Sequence, residues 1–124
     1  MVEIFFMNKY RSHFCSDLSI SNLNDKVFLC GWVDTIRDHG NLLFIDLRDN
    51  YGVTQCVIDG QHRLFSKISN LTHESVIKIS GNVVKRSEET KNINLKTGEI
   101  EVQIEDFELL SKSSVLPLPV NSDI

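Results

Sequence analysis

Between Val27 and Asp59 hydrophobicity alternates with a period of two, and two short turn signals cut the stretch into three strands. No other feature of the chain constrains its fold as much. In Val27–Ile36 both alternating sets are largely apolar, with Val27, Leu29 and Val33 on one side and Phe28, Cys30 and Trp32 on the other. A strand covered on both faces has this pattern, and Gly31 in its middle permits a sharp bend or a bulge. Asp38-His39-Gly40-Asn41 turns the chain into Leu42–Asp49, and Asn50-Tyr51-Gly52 turns it into Val53–Asp59. Turns this short join neighbouring antiparallel strands, so the three make a meander.

Beyond Asp59-Gly60 the period changes. Leu64, Phe65, Ile68 and Leu71 recur at helical spacing, which predicts one amphipathic helix over residues 61–71. A fourth strand is expected from Val76 to about Lys85 and a fifth from Gly98 to about Leu110, joined by the polar loop Arg86–Thr97. Three strands, a helix and two strands is the order of an OB-fold: an all-β, five-stranded Greek-key barrel with a helix between strands three and four. Other small β-barrels compete, but few place a single helix there. Residues 1–25 are expected to be an N-terminal extension with short helical turns around Phe14, Leu18, Ile20 and Leu23. Residues 26–112 make the barrel, and 113–124, with both prolines of the chain, an extended linker.

Composition excludes several functions. No apolar run approaches the ~20 residues of a bilayer span, and the first residues lack the core of a secretory signal, so membrane insertion and secretion are disfavoured. Thirteen Lys and Arg against 17 Asp and Glu leave a net charge of −4, which argues against gripping nucleic acid by bulk positive charge. Cys15, Cys30 and Cys56 are odd in number and His13, His39, His62 and His73 are scattered, so neither a disulfide framework nor a metal site is expected. Free thiols suit a reducing cytoplasm. P-loop, GxGxxG and GxSxG signatures are all missing, and no catalytic residue is expected in this chain.

The second strand carries the informative pattern. Leu43, Ile45 and Leu47 should point inward, leaving Leu42, Phe44, Asp46 and Arg48 outside. Phe44 among polar neighbours is either a platform on which an unpaired base stacks or a ring packed beneath a loop or a neighbouring domain. Asp46 and Asp49, flanking Arg48, read as a solvated strand end. Arg37 closes the first strand, where a guanidinium can bind phosphate or lie against a base. Gln55 alternates away from Thr54, Cys56 and Ile58, and its amide suits a pyrimidine edge. On the fifth strand Ile100, Val102 and Ile104 are core, which turns Glu99, Glu101, Gln103 and Glu105 outward. One such carboxylate can accept from the N1–H and N2–H donors of an unpaired guanine, although for most of them a solubilising role is enough.

GWVDTIRDHGNLLFIDLRDNYGVTQCV (31–57), KNIN (91–94), TGEIEV (97–102) and LPLPV (116–120) closely resemble the N-terminal domain of bacterial aspartyl-tRNA synthetases. The resemblance covers about residues 9–120. It implies an OB-fold that binds the anticodon of tRNA(Asp), joined to a separate class II catalytic domain. That domain carries the ATP, Mg and aspartate sites and the homodimer interface, so this chain is expected to be a monomeric, non-catalytic recognition module of a cytoplasmic ligase. The family's anticodon-contacting residues fall on Arg37, Phe44, Gln55, Asn92, Asn94 and Glu101. By resemblance Phe44 stacks on the central uracil while Gln55 reads its edge, and Glu101 accepts from the first-position guanine. Asn92, Asn94 and Arg37 contact the third base and the backbone, with Arg86 and Lys91 as phosphate partners.

His39 follows the Arg-Asp pair, at the position that lies near the third anticodon base in this family. Members with His there often charge tRNA(Asn) as well as tRNA(Asp). The same group usually has Pro-Glu-Gly where this chain has Ser87-Glu88-Glu89, so His39 and Glu89 together bear on that discrimination. The competing reading from another class is a free-standing OB-fold module for single-stranded nucleic acid or for protein interaction. A general single-strand binder needs a basic groove and several aromatics, and this chain offers a net charge of −4 with Phe44 alone well placed.

Overall fold

The computed structural model describes residues 12–111 apart from Glu89, Ile93 and Lys96. The expected linker 113–124, the start of the N-terminal extension and Glu89 lie outside the described residues. Five strands, β1 (Lys26–Asp38), β2 (Leu42–Arg48), β3 (Val53–Asp59), β4 (Val76–Lys85) and β5 (Ile100–Ser111), close into a barrel in the order β1-β2-β3-β5-β4. All pairs are antiparallel except the short parallel contact of β3 with β5. This is the five-stranded Greek-key barrel expected from the strand order.

β1 is long because it serves two partners. Residues Lys26–Trp32 pair with β4, and Trp32–Asp38 pair with β2, with a register shift between Val33 and Thr35. The bulge therefore falls beyond Gly31. Gly31 answers a different demand: a Cβ there would stand 2.3 Å from the Arg48 carbonyl oxygen, so β2 can cross this closely only over glycine. The outer face of β1 is covered at Cys30 and half-covered at Trp32, but Phe28 is 37% exposed, so the strand is not sheathed along its whole length.

The inward set matches the period-two reading. Val27, Leu29, Val33, Leu43, Ile45, Leu47, Cys56, Ile58, Ile77, Ile79, Val83, Ile100, Val102 and Ile104 form one buried cluster. The helix is shorter than expected. Only Phe65–Ser69 (α1) is α-helical, with turns on either side. Leu64 and Ile68 are still buried and Phe65 and Leu71 still pack on the core, because one helical turn flanked by turns delivers the same spacing.

The segment before β1 caps one end of the barrel, with Cys15 and Leu18 in the core and one 3-10 turn at Ile20–Asn22. Asp49 anchors it. Far from being a solvated strand end, Asp49 is 5% exposed and accepts from the backbone N–H groups of Cys15 (2.8 Å), Tyr51 (2.8 Å) and Gly52 (3.1 Å). One carboxylate thereby shapes the β2–β3 turn and pins the N-terminal segment across it.

Candidate functional site

Strand register gathers the outward side chains named from sequence. Arg37 is the direct partner of Phe44, and Thr35 of Asp46, across β1 and β2. Asp46 is the partner of Gln55 across β2 and β3. Pairing of Cys56 with Val102 and of Val57 with Gln103 then sets Glu101 of β5 beside Gln55. Residues two apart on a strand share a face, so these residues form one patch outside the barrel, behind which the core side chains point inward.

The Arg37 guanidinium lies 5.8 Å from the centre of the Phe44 ring and donates to Asp46 Oδ1 at 3.2 Å and to Gln55 Oε1 at 2.8 Å. Gln55 Nε2 donates to Glu101 Oε1 at 2.8 Å. The His39 imidazole meets Phe44 edge to face, with centroids 5.1 Å apart and an interplanar angle of 82°. Arg37, His39, Phe44 and Gln55 line one side of a cleft of about 310 Å³, and Arg86, Thr90, Lys91 and Asn92 from the end of β4 and its following loop line the other. That is the low end of the size range of small-molecule sites, and suits one or two planar groups rather than a large ligand. A larger groove of about 780 Å³ runs between α1 and β5, but none of the candidate anticodon-contacting residues lines it.

Several side chains are placed otherwise than expected. Phe44 is only 7% exposed, so it is not an open platform. It belongs to neither buried apolar cluster, yet Arg37 and His39 lie against it. A guanidinium is weakly hydrated and settles readily over an aromatic face. Arg86 is 6% exposed, and its Nε and Nη1 donate to the carbonyls of Ile100 and Thr90, each at 2.8 Å. Burial lowers its guanidinium from the ordinary value, against the opposing pull of the Glu101 and Asp46 carboxylates. Arg86 thus braces the β4–β5 loop instead of standing free for a phosphate.

Lys91 stands at the rim, 2.8 Å from Glu88 Oε2, a hydrogen bond that raises its ammonium above the usual range and lowers the Glu88 carboxyl. Asn92 is exposed, and its Oδ1 accepts from the Asn94 N–H at 3.0 Å while its own N–H donates to the Gly98 carbonyl at 3.0 Å. Asn94 is exposed on the same loop and is not part of the cleft lining. Gly98 is required where it stands, because a Cβ there would lie 1.6 Å from the Asn92 carbonyl oxygen. Glu101 is half-buried, and burial raises its carboxyl above the ordinary value despite the Gln55 hydrogen bond and Arg86, which both lower it.

Asp46, read from sequence as part of a solvated strand end, is instead bonded into the functional face. It accepts from Thr35 Oγ1 at 2.6 Å as well as from Arg37. The signal was present, since Asp46 is two residues from Phe44 on the same strand. Among the described residues no group of three His, Cys, Asp or Glu side chains could hold a metal ion, and no helix is long and apolar enough to cross a membrane.

A closed five-stranded barrel of this topology is an OB module, and Arg, aromatic, amide and carboxylate side chains converge outside its second and third strands. Residues 27–110 match the model of the tRNA anticodon family, the OB-fold nucleic acid binding domain, and the chain belongs to that family. It is 56% identical over 117 residues to the aspartate–tRNA(Asp/Asn) ligase of Pelagibacter ubique, covering 94% of this chain and 20% of that protein. It is 51% identical over 118 residues to the aspartate–tRNA(Asp/Asn) ligase of Paramagnetospirillum magneticum, covering 95% of this chain and 14% of that protein. Among solved structures, asparaginyl-tRNA synthetase from Pyrococcus horikoshii, complexed with asparaginyl-adenylate, superposes with a TM-score of 0.70 at 27% identity, over 90% of this chain and 25% of that one. The chain therefore spans a fifth or less of the length of these two ligases.

Proposed function

We propose that this chain is the anticodon-recognition module of an aspartate–tRNA ligase, and that it accepts tRNA(Asp) and tRNA(Asn). One observation carries the reading: Arg37, Phe44 and Gln55 line a single cleft, and Glu101 is hydrogen-bonded to its wall. In this reading the central uracil enters the cleft against Phe44, moving His39 aside, and Gln55 meets its edge. Glu101 has carboxylate lone pairs beyond the one Gln55 uses, and these accept from the first-position guanine. In this reading His39, packed on Phe44 at the cleft wall, bears on the third base, a role shared with Glu89. The names of the two ligases above, both Asp/Asn, support dual acceptance. Asn92 and Lys91 approach from the loop, while Arg86 holds that loop in shape.

Attachment of aspartate, with its ATP and Mg, belongs in this reading to a separate catalytic domain that also supplies the homodimer contact, in a cytoplasmic enzyme of protein synthesis. The recognition step is tested with two RNA stem-loops that differ only in whether the central anticodon position carries uracil or an abasic sugar. Phe44→Ala is expected to weaken binding of the uracil stem-loop by about 1–3 kcal/mol, the usual value of one base stack, and to leave the abasic one unchanged. Equal losses on both stem-loops, or none on either, would contradict a base seated on Phe44.

A further inference from the structure

Side chains from four strands form one unbroken hydrogen-bonded line across the outer face. Thr35 Oγ1 donates to Asp46 Oδ2 at 2.6 Å, Arg37 Nη2 donates to Asp46 Oδ1 at 3.2 Å and to Gln55 Oε1 at 2.8 Å, and Gln55 Nε2 donates to Glu101 Oε1 at 2.8 Å. Only one direction is chemically possible. A guanidinium has donors and no acceptor, and an ionised carboxylate has acceptors and no donor. Between them the Gln55 amide must turn its oxygen to Arg37 and its nitrogen to Glu101.

An unconstrained side-chain amide can rotate by half a turn and present donor and acceptor in either order. It then reads uracil, with N3–H beside O4, or cytosine, with N3 beside N4–H, about equally well. Locked by Arg37 and Glu101, Gln55 retains one N–H and one oxygen lone pair in a fixed order. A base whose position is set by the Phe44 ring must match that order. The Arg37 half of the lock depends on that side chain staying where it is, and two groups keep it there: the Phe44 ring beneath and the Asp46 carboxylate beside it. The Thr35 hydroxyl in turn fixes that carboxylate.

We infer that Asp46 is a specificity-determining positioning residue, which touches no base but locks the Gln55 amide through Arg37 in the orientation that separates uracil from cytosine at the centre of the anticodon. The inference rests on the anticodon reading above, and deepens it by adding Asp46 and Thr35 to the determinants of the central base.

The test measures binding of the 124-residue chain, as wild type, Asp46→Ala and Thr35→Val, to stem-loops with central uracil or central cytosine at one salt concentration. Wild type should prefer uracil by about tenfold or more, the discrimination of a good two-bond base contact. Asp46→Ala should lower the uracil-to-cytosine ratio several-fold, chiefly by tightening cytosine, since Glu101 alone then holds the amide, and Thr35→Val should lower the ratio by a smaller factor. A ratio unchanged in Asp46→Ala, with both affinities falling together, would make Asp46 merely structural and overturn the inference. Should Asp46→Ala fail to fold, Thr35→Val decides: a lowered ratio supports the lock and an unchanged one refutes it. Absence of any preference in the wild type would instead overturn the anticodon reading itself.

Discussion

Glu101 shows at the scale of one residue how recognition strains against stability. Its carboxyl is raised above the ordinary 4.5, first by burial, with Gln55 and Arg86 opposing. The folded chain therefore binds a proton more tightly than the unfolded chain between the ordinary and the raised values. Its contribution to stability falls as pH climbs through that window, and above it the ionised carboxylate is a standing penalty. Glu101→Gln removes the charge and keeps an oxygen that accepts from Gln55. The variant should melt at a higher temperature than wild type at pH 7, with the gap closing as pH drops below 4.5, the ordinary value. Paired thermal melts at the two extremes check this, and a variant less stable at pH 7 would show that the carboxylate supports the fold. A group kept at some cost to the fold is where a ligand contact is to be sought.

At the scale of elements, the β4–β5 loop completes the cleft, and Arg86 holds it. Arg86→Ala removes the donors to the Ile100 and Thr90 carbonyls, and should lower stability by about 1–3 kcal/mol in urea denaturation, the usual penalty for stranding a buried polar group. RNA affinity should fall with it by a similar factor for every anticodon, since Lys91 and Asn92 lose their common support. Anticodon-dependent losses would mean that Arg86 itself meets a base. The strands of the barrel were legible from sequence because alternation is local: on β2, Leu43, Ile45 and Leu47 declare their face without reference to the rest of the chain. The length of α1 was not, since Leu64, Ile68 and Leu71 reach the core from one helical turn as well as from three. The burial of Phe44 was hidden for a different reason. What covers it comes from β1 and its turn, and the wall facing it across the cleft from a loop more than forty residues downstream, so no local pattern records it. Asp49 was misread likewise, because its partner Cys15 is separated from it by 34 residues.

At the scale of the molecule, a domain of net charge −4 that belongs to a nucleic-acid-binding family has to recognise more by shape and hydrogen bonding than by charge. Barrel closure makes that possible by bringing β1, β2, β3 and β5 into a register where Arg37, Asp46, Gln55 and Glu101 bond in sequence. If phosphate attraction dominated, removing any acid would strengthen binding whatever the RNA sequence. If Glu101 reads guanine, removing its charge weakens binding of one base alone. The deciding measurement is a two-by-two comparison of wild type and Glu101→Gln against stem-loops with guanine or adenine first in the anticodon, at one salt concentration. A charge-assisted hydrogen bond is worth about 1.5–3 kcal/mol, so the wild type should favour guanine by that order and Glu101→Gln should lose most of the preference. An equal change for both RNAs, or tighter binding by the variant, would contradict base reading by this face.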